Sequence, residues 1–471
     1  MLEQIIYAMP LLVLFVGIGY FSLFEFRDNE VLFTFKITRL TLVMSFVFAV
    51  IFYNKPMIAG LVRANNYSLL FQVLLYGGTM TLLFMSRKWF AVMKESTHMF
   101  CYALLLSVFA GNLLITSRNL ALTFGGFILL MLSNLLFLRK IAYKKENAIN
   151  VKIYSISAAL SVLFLIAAIV FLFEKVGSLD YVWLKLYFEE NSFGIVSFCA
   201  VSVFILTFMF LLAIAPLHFW FTEISGRVTL PVFGYFMLVP LSAIWAGLIR
   251  FNLEVAAPIS QFLRLFYIGV GLASVTLGAI GACSGKNMRK ILAYSAVFHQ
   301  GIMLLLMQYF TLHATDAVFE YLMVYLLAVW GACICLFGLK IRGEYLFTLD
   351  EFAGVAFRRP YIAAVLTIAL FSMLGLPPLA GFWGIFRVTE VLMYHGNFYQ
   401  MLYLIVMLMC MGFAFLRVVQ NIYFENSHEV LDKSDKGTYV GLTAFIVMMV
   451  FMMCFPHYWI ENLNFIAEGM H

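Results

Sequence analysis

The sequence predicts an all-α polytopic membrane protein with about fourteen transmembrane helices of roughly 20 residues each. Its composition is the first reason: 64% of the 471 residues are hydrophobic and 11% are charged, with a mean hydropathy of +0.98. A soluble domain carries about 25% charged residues, so this composition suits an apolar solvent. The second reason is that apolar runs long enough to cross a bilayer recur along the whole chain, separated by short charged or turn-rich breaks.

The first apolar run lacks the basic start and the small-residue cleavage site of a signal peptide, so we expect it to stay as a spanning helix. The predicted spans lie at 5–24, 37–54, 68–85, 98–116, 119–138, 153–174, 193–217, 228–250, 260–284, 289–309, 317–339, 361–394, 399–423 and 438–456. Most of the 30 lysine and arginine residues fall in every second loop. The positive-inside rule therefore predicts that both termini lie outside.

Two of these runs contain helix breakers. The seventh ends in LAIAPLHFWFTEISGRVTLP (212–231), and the twelfth contains MLGLPPLAGFWGIFRVTEVL (373–392). Broken helices in corresponding positions of two halves indicate an inverted repeat with a transport path between the halves. We expect a single transmembrane domain, 1–471, that divides into 1–97 with helices 1–3, 98–251 as a first five-helix repeat with helices 4–8, 260–423 as a second five-helix repeat with helices 9–13, and 438–471 with the C-terminal helix.

The tenth run contains a histidine, His299, and begins with a basic segment that includes Lys290. Histidine exchanges protons near neutral pH, so His299 is a candidate for a proton path, as is Lys290. His299 could equally be a polar residue held in a packed membrane core. The sequence leaves both interpretations open.

Charged residues also follow both breaks. After Pro216 come His218 and Glu223, which indicate either a helix end anchored at the interface by Trp220 or a broken helix that lines a polar cavity. In the twelfth run Arg387 and Glu390 lie three residues apart on one helical face. Because burying both charges is costly unless they pair, we expect an ion pair, with either a structural or an ion-conducting role.

Cofactor motifs are absent from the sequence: it contains no CxxC pair, no P-loop, no GxGxxG and no haem-attachment motif. Cys333 and Cys335 lie within an apolar run and are expected to fill the core, so no metal site is predicted. The formal net charge of +6 does not indicate nucleic-acid binding, because the basic residues belong to short loops. We therefore expect neither a cofactor nor a nucleic-acid partner.

Three segments resemble the antiporter-like membrane subunits of respiratory complex I, most closely the N-type branch, NADH dehydrogenase subunit 2. They are MRKILAYSAVFHQG (288–301), APLHFWFTEISGRVTLP (215–231) and LPPLAGFWGIF (376–386). The resemblance covers roughly 200–390 well. It implies a non-redox subunit of a proton-translocating NADH:quinone oxidoreductase, located in a bacterial or mitochondrial inner membrane beside lipid and other membrane-arm subunits, both antiporter-like and small.

The resemblance also implies a relay of buried lysines and a glutamate, and this chain departs from it. Phe127 or Ile128 takes the place of the glutamate in the fifth span, with Ile128 as our choice. Leu211, Leu241 and Ile385 take the places of the lysines in the seventh, eighth and twelfth spans. Because apolar side chains cannot bind a proton, we expect proton pumping through this chain to be weakened or lost and its role to be that of a scaffold.

Two other functions fit parts of the sequence. The fold implied by the resemblance also serves multisubunit cation/proton antiporters and ion-coupled bicarbonate uptake systems. A stand-alone solute transporter fits less well, because neither break offers a cluster of polar side chains that could bind a solute.

Overall fold

Apolar runs become helices along the whole chain, because a backbone inside a bilayer must satisfy its own hydrogen bonds. The computed structural model describes residues 7–24, 31–52, 56–57, 62–63, 65–93, 97–142, 145–190, 194–426 and 430–459. The described residues form two compact units, one made of those up to Leu212 together with Leu238–Phe266, the other of Ala213–Met237 together with those from Tyr267 onward.

The helices are α1 (Met9–Leu23), α2 (Val31–Ile51), α3 (Asn66–Met93), α4 (His98–Thr116), α5 (Leu120–Ala142), α6 (Lys145–Val176), α7 (Tyr181–Glu190), α8 (Ile195–Leu211), α9 (Phe219–Ser225), α10 (Leu230–Leu238), α11 (Pro240–Phe251), α12 (Ser260–Ser284), α13 (Met288–Met307), α14 (Leu312–Gly338), α15 (Val355–Arg358), α16 (Pro360–Met373), α17 (Gly381–Tyr394), α18 (Phe398–Phe424) and α19 (Lys436–Cys454). Short helical turns lie at Asn252–Ala256, Ala257–Ile259 and Asp350–Phe352. The described residues also include two antiparallel pairs of two-residue strands, β1 (Pro56–Met57) with β2 (Val62–Arg63) and β3 (Lys340–Ile341) with β4 (Glu344–Tyr345).

The predicted all-α multi-pass architecture is confirmed. Every predicted span coincides, within the described residues, with a helix or with helices joined at a break. By length and composition, 10 helices among the described residues can cross a membrane, or up to 11 with the bent pair Asp350–Arg358 and Pro360–Met373 as one span. The predicted count of about fourteen is not reached by this measure. One reason is that α1 and α8 have 15 and 17 residues, fewer than the 18 that this measure requires. Another is that Leu230–Ser284 counts once although it contains two predicted spans.

Both predicted helix breaks are present. Residues 212–218 separate α8 from α9, and the Ala215–Pro216 bond is cis. Residues 374–380 separate α16 from α17, and the Pro377–Pro378 bond is cis. Gly375 has a φ of 74°, a left-handed conformation that glycine adopts without strain. The inverted repeat of 98–251 and 260–423 stays a prediction, and the end of the predicted segment 438–471 lies outside the described residues.

Small residues fix α13 against α12. A Cβ atom on Gly278 would lie 2.6 Å from the backbone nitrogen of Phe298, and one on Gly301 would lie 2.8 Å from Ser274 Cβ. Close backbone approach of this kind is typical of helix pairs in membranes. The second unit is then completed around α14, which packs on α13, α16, α17 and α19.

Candidate functional site

His299 lies in the interior of the second unit, on α13. Its side chain is 1% exposed, and its Nδ1 atom is 2.7 Å from the hydroxyl oxygen of Tyr321 on α14. The ring also lies beside Tyr325, with 4.6 Å between the ring centroids. The Nε2 atom is buried and has no hydrogen-bond partner among the described residues. His299 is thus held at one ring nitrogen and unsatisfied at the other.

A small cavity of about 10 Å³, measured as the space open to the centre of a water molecule, adjoins this histidine. The residues that line it are His299, Tyr321, Val324, Tyr325, Ser372, Met373, Gly381 and Gly384. Within the described part of the chain, the Tyr325 hydroxyl is also buried without a hydrogen-bond partner. Since a buried water normally bonds polar groups of this kind, the space suits an ordered water molecule. The second helix break contributes to the lining, because Gly381 and Gly384 at the start of α17 both adjoin this space.

Arg387 forms an ion pair with each of two carboxylates. Its Nε atom donates to Oε2 of Glu320 at 2.9 Å, and its Nη1 atom donates to Oε2 of Glu390 at 2.6 Å. Glu320 is 0% exposed and Glu390 is 43% exposed. The expected pairing of Arg387 with Glu390 is therefore present, but Glu320, on α14, is a buried member that the sequence analysis missed.

Lys290 belongs to a different group of charges. Its Nζ atom donates to both carboxylate oxygens of Glu223, at 3.1 and 3.2 Å, and Arg227 lies 3.9 Å from the same carboxylate. Lys290 and Glu223 are 30% and 44% exposed, so this pair is partly solvated. The pair ties the start of α13 to α9.

His218 immediately precedes α9 and is half-buried. Its ring centroid lies 6.3 Å from that of Tyr294. Trp220, which one interpretation placed at the interface as an anchor, is 3% exposed and packs on Phe236. That interpretation was wrong for Trp220, because the short helix α9 folds its indole into the second unit.

The five candidates therefore fall into separate groups, all within the second unit: His299 at the cavity, Arg387 with Glu390, Lys290 with Glu223, and His218 beside Tyr294. Among the residues the structure describes, no group of three or more His, Cys, Asp or Glu side chains could hold a metal ion. The chemistry available to these groups is proton exchange and charge pairing.

Residues 117–412 match the family described as "NADH:quinone oxidoreductase/Mrp antiporter, TM". The matched segment is more than half of the 471 residues and contains both helix breaks, His299 and Arg387. The chain belongs to this family.

Similar proteins support the family membership and the fold. NADH-quinone oxidoreductase subunit N of Sphingopyxis alaskensis is 29% identical over 261 residues, which are 54% of this chain and 55% of that protein. The chain thus spans about half the length of this curated relative. A chain of respiratory complex I from Thermus thermophilus is 22% identical and superposes with a TM-score of 0.80 over 97% of this chain and 99% of its own length. A chain of the Mrp complex from Dietzia sp. is 14% identical, with a TM-score of 0.81 over 100% and 98%.

Phe127 and Ile128, the two alternatives for the position at which the resemblance implies a relay glutamate, lie on α5. Phe127 is 0% exposed and packs edge-on against Phe208 of α8, with 4.5 Å between the ring centroids. Ile128 is half-buried. Of the two alternatives, it is therefore Phe127 that contacts the helix leading into the first break.

The other three positions are also filled by apolar side chains. Leu211, the last residue of α8, is 4% exposed, and Leu241 of α11 is 5% exposed. Ile385 of α17 is half-buried, and its side chain occupies the space where a Cβ atom on Gly375 would lie. These side chains fill packed positions and offer no group that can exchange a proton.

Proposed function

We propose that this chain is a membrane-arm subunit of a complex I-type NADH:quinone oxidoreductase in an energy-transducing inner membrane. It would take part in no redox step and would act mainly as a scaffold between other membrane-arm subunits. Family membership supports this proposal, together with relatives named NADH-quinone oxidoreductase subunit N. The likeness in fold to a chain of Thermus thermophilus respiratory complex I extends over almost the whole chain.

The scaffold role is inferred from the packing of the positions at which the resemblance implies relay residues. All are apolar in the first unit: Ile128 is half-buried beside the buried Phe127, and Leu211 and Leu241 are nearly fully buried. A proton that crosses a membrane through side chains needs groups that bind and release it within hydrogen-bond reach of one another. A continuous relay through these positions is therefore not available to this chain.

Large apolar surfaces are available for lipid and for neighbouring subunits. On α6 the exposed residues include Ile156, Leu163 and Phe164, and on α18 they include Met409 and Phe413. Surfaces of this composition are expected in a membrane protein, because acyl chains and apolar helix faces cover them equally well.

Affinity purification tests the proposed parent complex. The chain is tagged in its native host, the membranes are solubilised in a mild detergent, and the co-purifying proteins are identified by mass spectrometry. We expect subunits that bind iron–sulfur clusters and NADH, and NADH:quinone reductase activity in the eluate. Recovery of the chain without any such subunit would refute the proposal.

A multisubunit cation/proton antiporter is the second candidate, with an ion-coupled bicarbonate uptake system as its variant. The observation that favours it is the likeness in fold to a chain of the Dietzia Mrp complex over the full length. The same purification separates the candidates, because an antiporter would yield small membrane subunits and no iron–sulfur protein. The apolar residues at the positions of the implied relay also weigh against cation/proton exchange through this chain in an antiporter.

A further inference from the structure

One guanidinium group is shared by two carboxylates in the second unit. Arg387 contributes one positive charge, whereas Glu320 and Glu390 contribute two negative charges when both are ionised. The cluster would then carry a net charge of −1, with one of its carboxylates 0% exposed. An unbalanced buried charge is costly in a membrane interior, and the cost disappears when the cluster binds one positive charge.

A free acceptor marks where that charge would bind. The Oε2 atom of Glu320 accepts the hydrogen bond from Arg387, but Oε1 is buried and has no hydrogen-bond partner among the described residues. Buried carboxylate oxygens rarely remain unsatisfied, because the lost hydration is not replaced. The Oε1 atom is therefore the open position of the cluster.

We propose that Glu320 is a proton-binding site: Arg387 pairs with both Glu320 and the half-exposed Glu390 when the site is empty, and with Glu390 alone when the site is loaded. A proton from water binds to Oε1, the net charge of the cluster rises from −1 to 0, and Arg387 keeps its ion pair with Glu390. Release of the proton to water restores both ion pairs. The proposal does not depend on which complex holds the chain.

The neighbouring guanidinium favours a proton over a metal ion as the bound charge. A sodium ion needs about five or six oxygen ligands around it, by analogy with other hard cations, whereas Glu320 offers one free oxygen beside a positively charged arginine. A proton needs only that oxygen. Arginine itself cannot take part in the exchange, since it does not lose its proton in proteins.

The first unit contains an arginine–glutamate pair that serves as a comparison, because positive charges outnumber negative ones around it. The Nε atom of Arg118 lies 2.9 Å from Oε2 of Glu254, the same distance as in the pair of Arg387 with Glu320. The buried side chain of Arg250 adds a second positive charge that interacts electrostatically with Glu254. Glu254 therefore has two cations for one carboxylate, the reverse of the cluster around Arg387.

The helices around Glu320 also carry other titratable and charged groups. Arg387, Glu390 and Tyr394 lie on α17. The other helices packed on α14 contribute the following titratable or charged residues: Arg289, Lys290, Tyr294 and His299 on α13, Tyr361 on α16, and Lys436, Tyr439 and Cys454 on α19; α14 itself carries His313, Asp316, Tyr321, Tyr325, Cys333 and Cys335. The start of α19 lies far from Glu320, because Thr438 contacts Gly338, 18 residues further along α14, or about 27 Å.

The ion pair lies close to the His299 cavity. Val324, one helical turn from Glu320 along α14, and Gly384, one turn from Arg387 along α17, both line that cavity. One turn of helix is about 5 Å, so a single water molecule between Glu320 and the cavity would connect the two by hydrogen bonds.

Labelling with dicyclohexylcarbodiimide tests the proposal in native membranes that contain the full complex. This apolar reagent reacts with protonated carboxyl groups and leaves a stable adduct that mass spectrometry locates. We expect an adduct on Glu320 that increases at mildly acidic pH, and none on Glu254. We expect Glu390→Gln to lower labelling of Glu320 by about tenfold, since the pairing with Arg387 then becomes one to one.

Several outcomes would overturn the assignment. One is labelling of Glu320 no stronger than that of Glu254; another is labelling that Glu390→Gln leaves unchanged. Protection of Glu320 by sodium at constant pH would identify a metal ion as the bound charge. Infrared difference spectra do not depend on reagent access: purified wild-type complex must show a protonated-carboxyl C=O band that is missing from Glu320→Gln, and its absence would also refute the proposal.

Discussion

A lysine at position 211 is expected to destabilise this protein and to leave proton transport unchanged. Leu211 is the last residue of α8 and is 4% exposed. The resemblance to complex I subunits implies a relay lysine there, but the position at which it implies the partner glutamate holds Ile128, which directly follows Phe127 in the chain. Phe127 packs on Phe208, one helical turn before Leu211. A charged side chain at 211 would therefore meet aromatic rings and find no counter-charge.

Two effects set the magnitude of the destabilisation. Loss of the buried leucine side chain costs about 2 kcal/mol. A lysine in the membrane interior costs about 3 kcal/mol more on insertion scales. The sum of about 5 kcal/mol corresponds to a change of roughly three to four orders of magnitude in the folding equilibrium. Adding Phe127→Glu supplies a carboxylate close to the lysine and should recover part of this loss, because a paired buried charge costs less than an unpaired one.

The assay has two readouts on the same purified complex. Thermal denaturation followed on native gels measures stability, and proton uptake by inverted vesicles per NADH oxidised measures transport. Leu211→Met is the matched control, since this volume-conserving exchange costs less than about 1.5 kcal/mol. A Leu211→Lys complex with wild-type stability and a higher proton-to-electron ratio would refute our view of this position.

Three further predictions concern the second unit. His299→Ala should leave the proton-to-electron ratio nearly unchanged, and a clear loss in vesicle assays would show that His299 works as a relay. Gly278→Ala should lower stability by about 1–3 kcal/mol, because the added Cβ atom would meet the backbone of α13. Gly269→Ala on the same helix is the control, because a Cβ atom there would have no atom within 4 Å. It should be neutral or stabilising by up to about 1 kcal/mol in the same denaturation assay. Arg289→Met should lower stability by about 2 kcal/mol, because the buried guanidinium donates to a backbone carbonyl and lies 3.6 Å from a phenylalanine ring centroid. Lys290→Met should lower it by less than about 1 kcal/mol, because the ion pair of Lys290 is partly solvated. Equal losses of stability in the two variants would contradict this ranking.

Helix positions could be predicted wherever polar residues flank an apolar run. The spans 98–116 and 260–284 have the same bounds in the sequence analysis and in the structure. In contrast, α7 was not predicted: it lies between the predicted spans 153–174 and 193–217. Its buried residues Tyr181, Leu184 and Phe188 are spaced three and four apart, a pattern typical of an amphipathic helix.

The candidate site was only partly predictable for a different reason. The pairing of Arg387 with Glu390 follows from their spacing on one helix, but no spacing connects Arg387 with Glu320, 67 residues earlier in the chain. A single charge also barely changes the hydropathy of the run 317–339. The available signal was the charge itself, since a carboxylate in a membrane-spanning run needs a nearby positive charge.

The positions of Ile385 and Arg387 on α17 explain why this cluster differs from a lysine relay. Successive helical residues are rotated by about 100°, so two side chains that are two residues apart point to different faces of the helix. Ile385 packs on Gly375 in the break, whereas Arg387 reaches Glu320 on α14. Lysine can be deprotonated when buried, but arginine stays charged. A positive charge at 387 can therefore steer protons but never release one, which leaves proton exchange in this part of the protein to the carboxylate of Glu320.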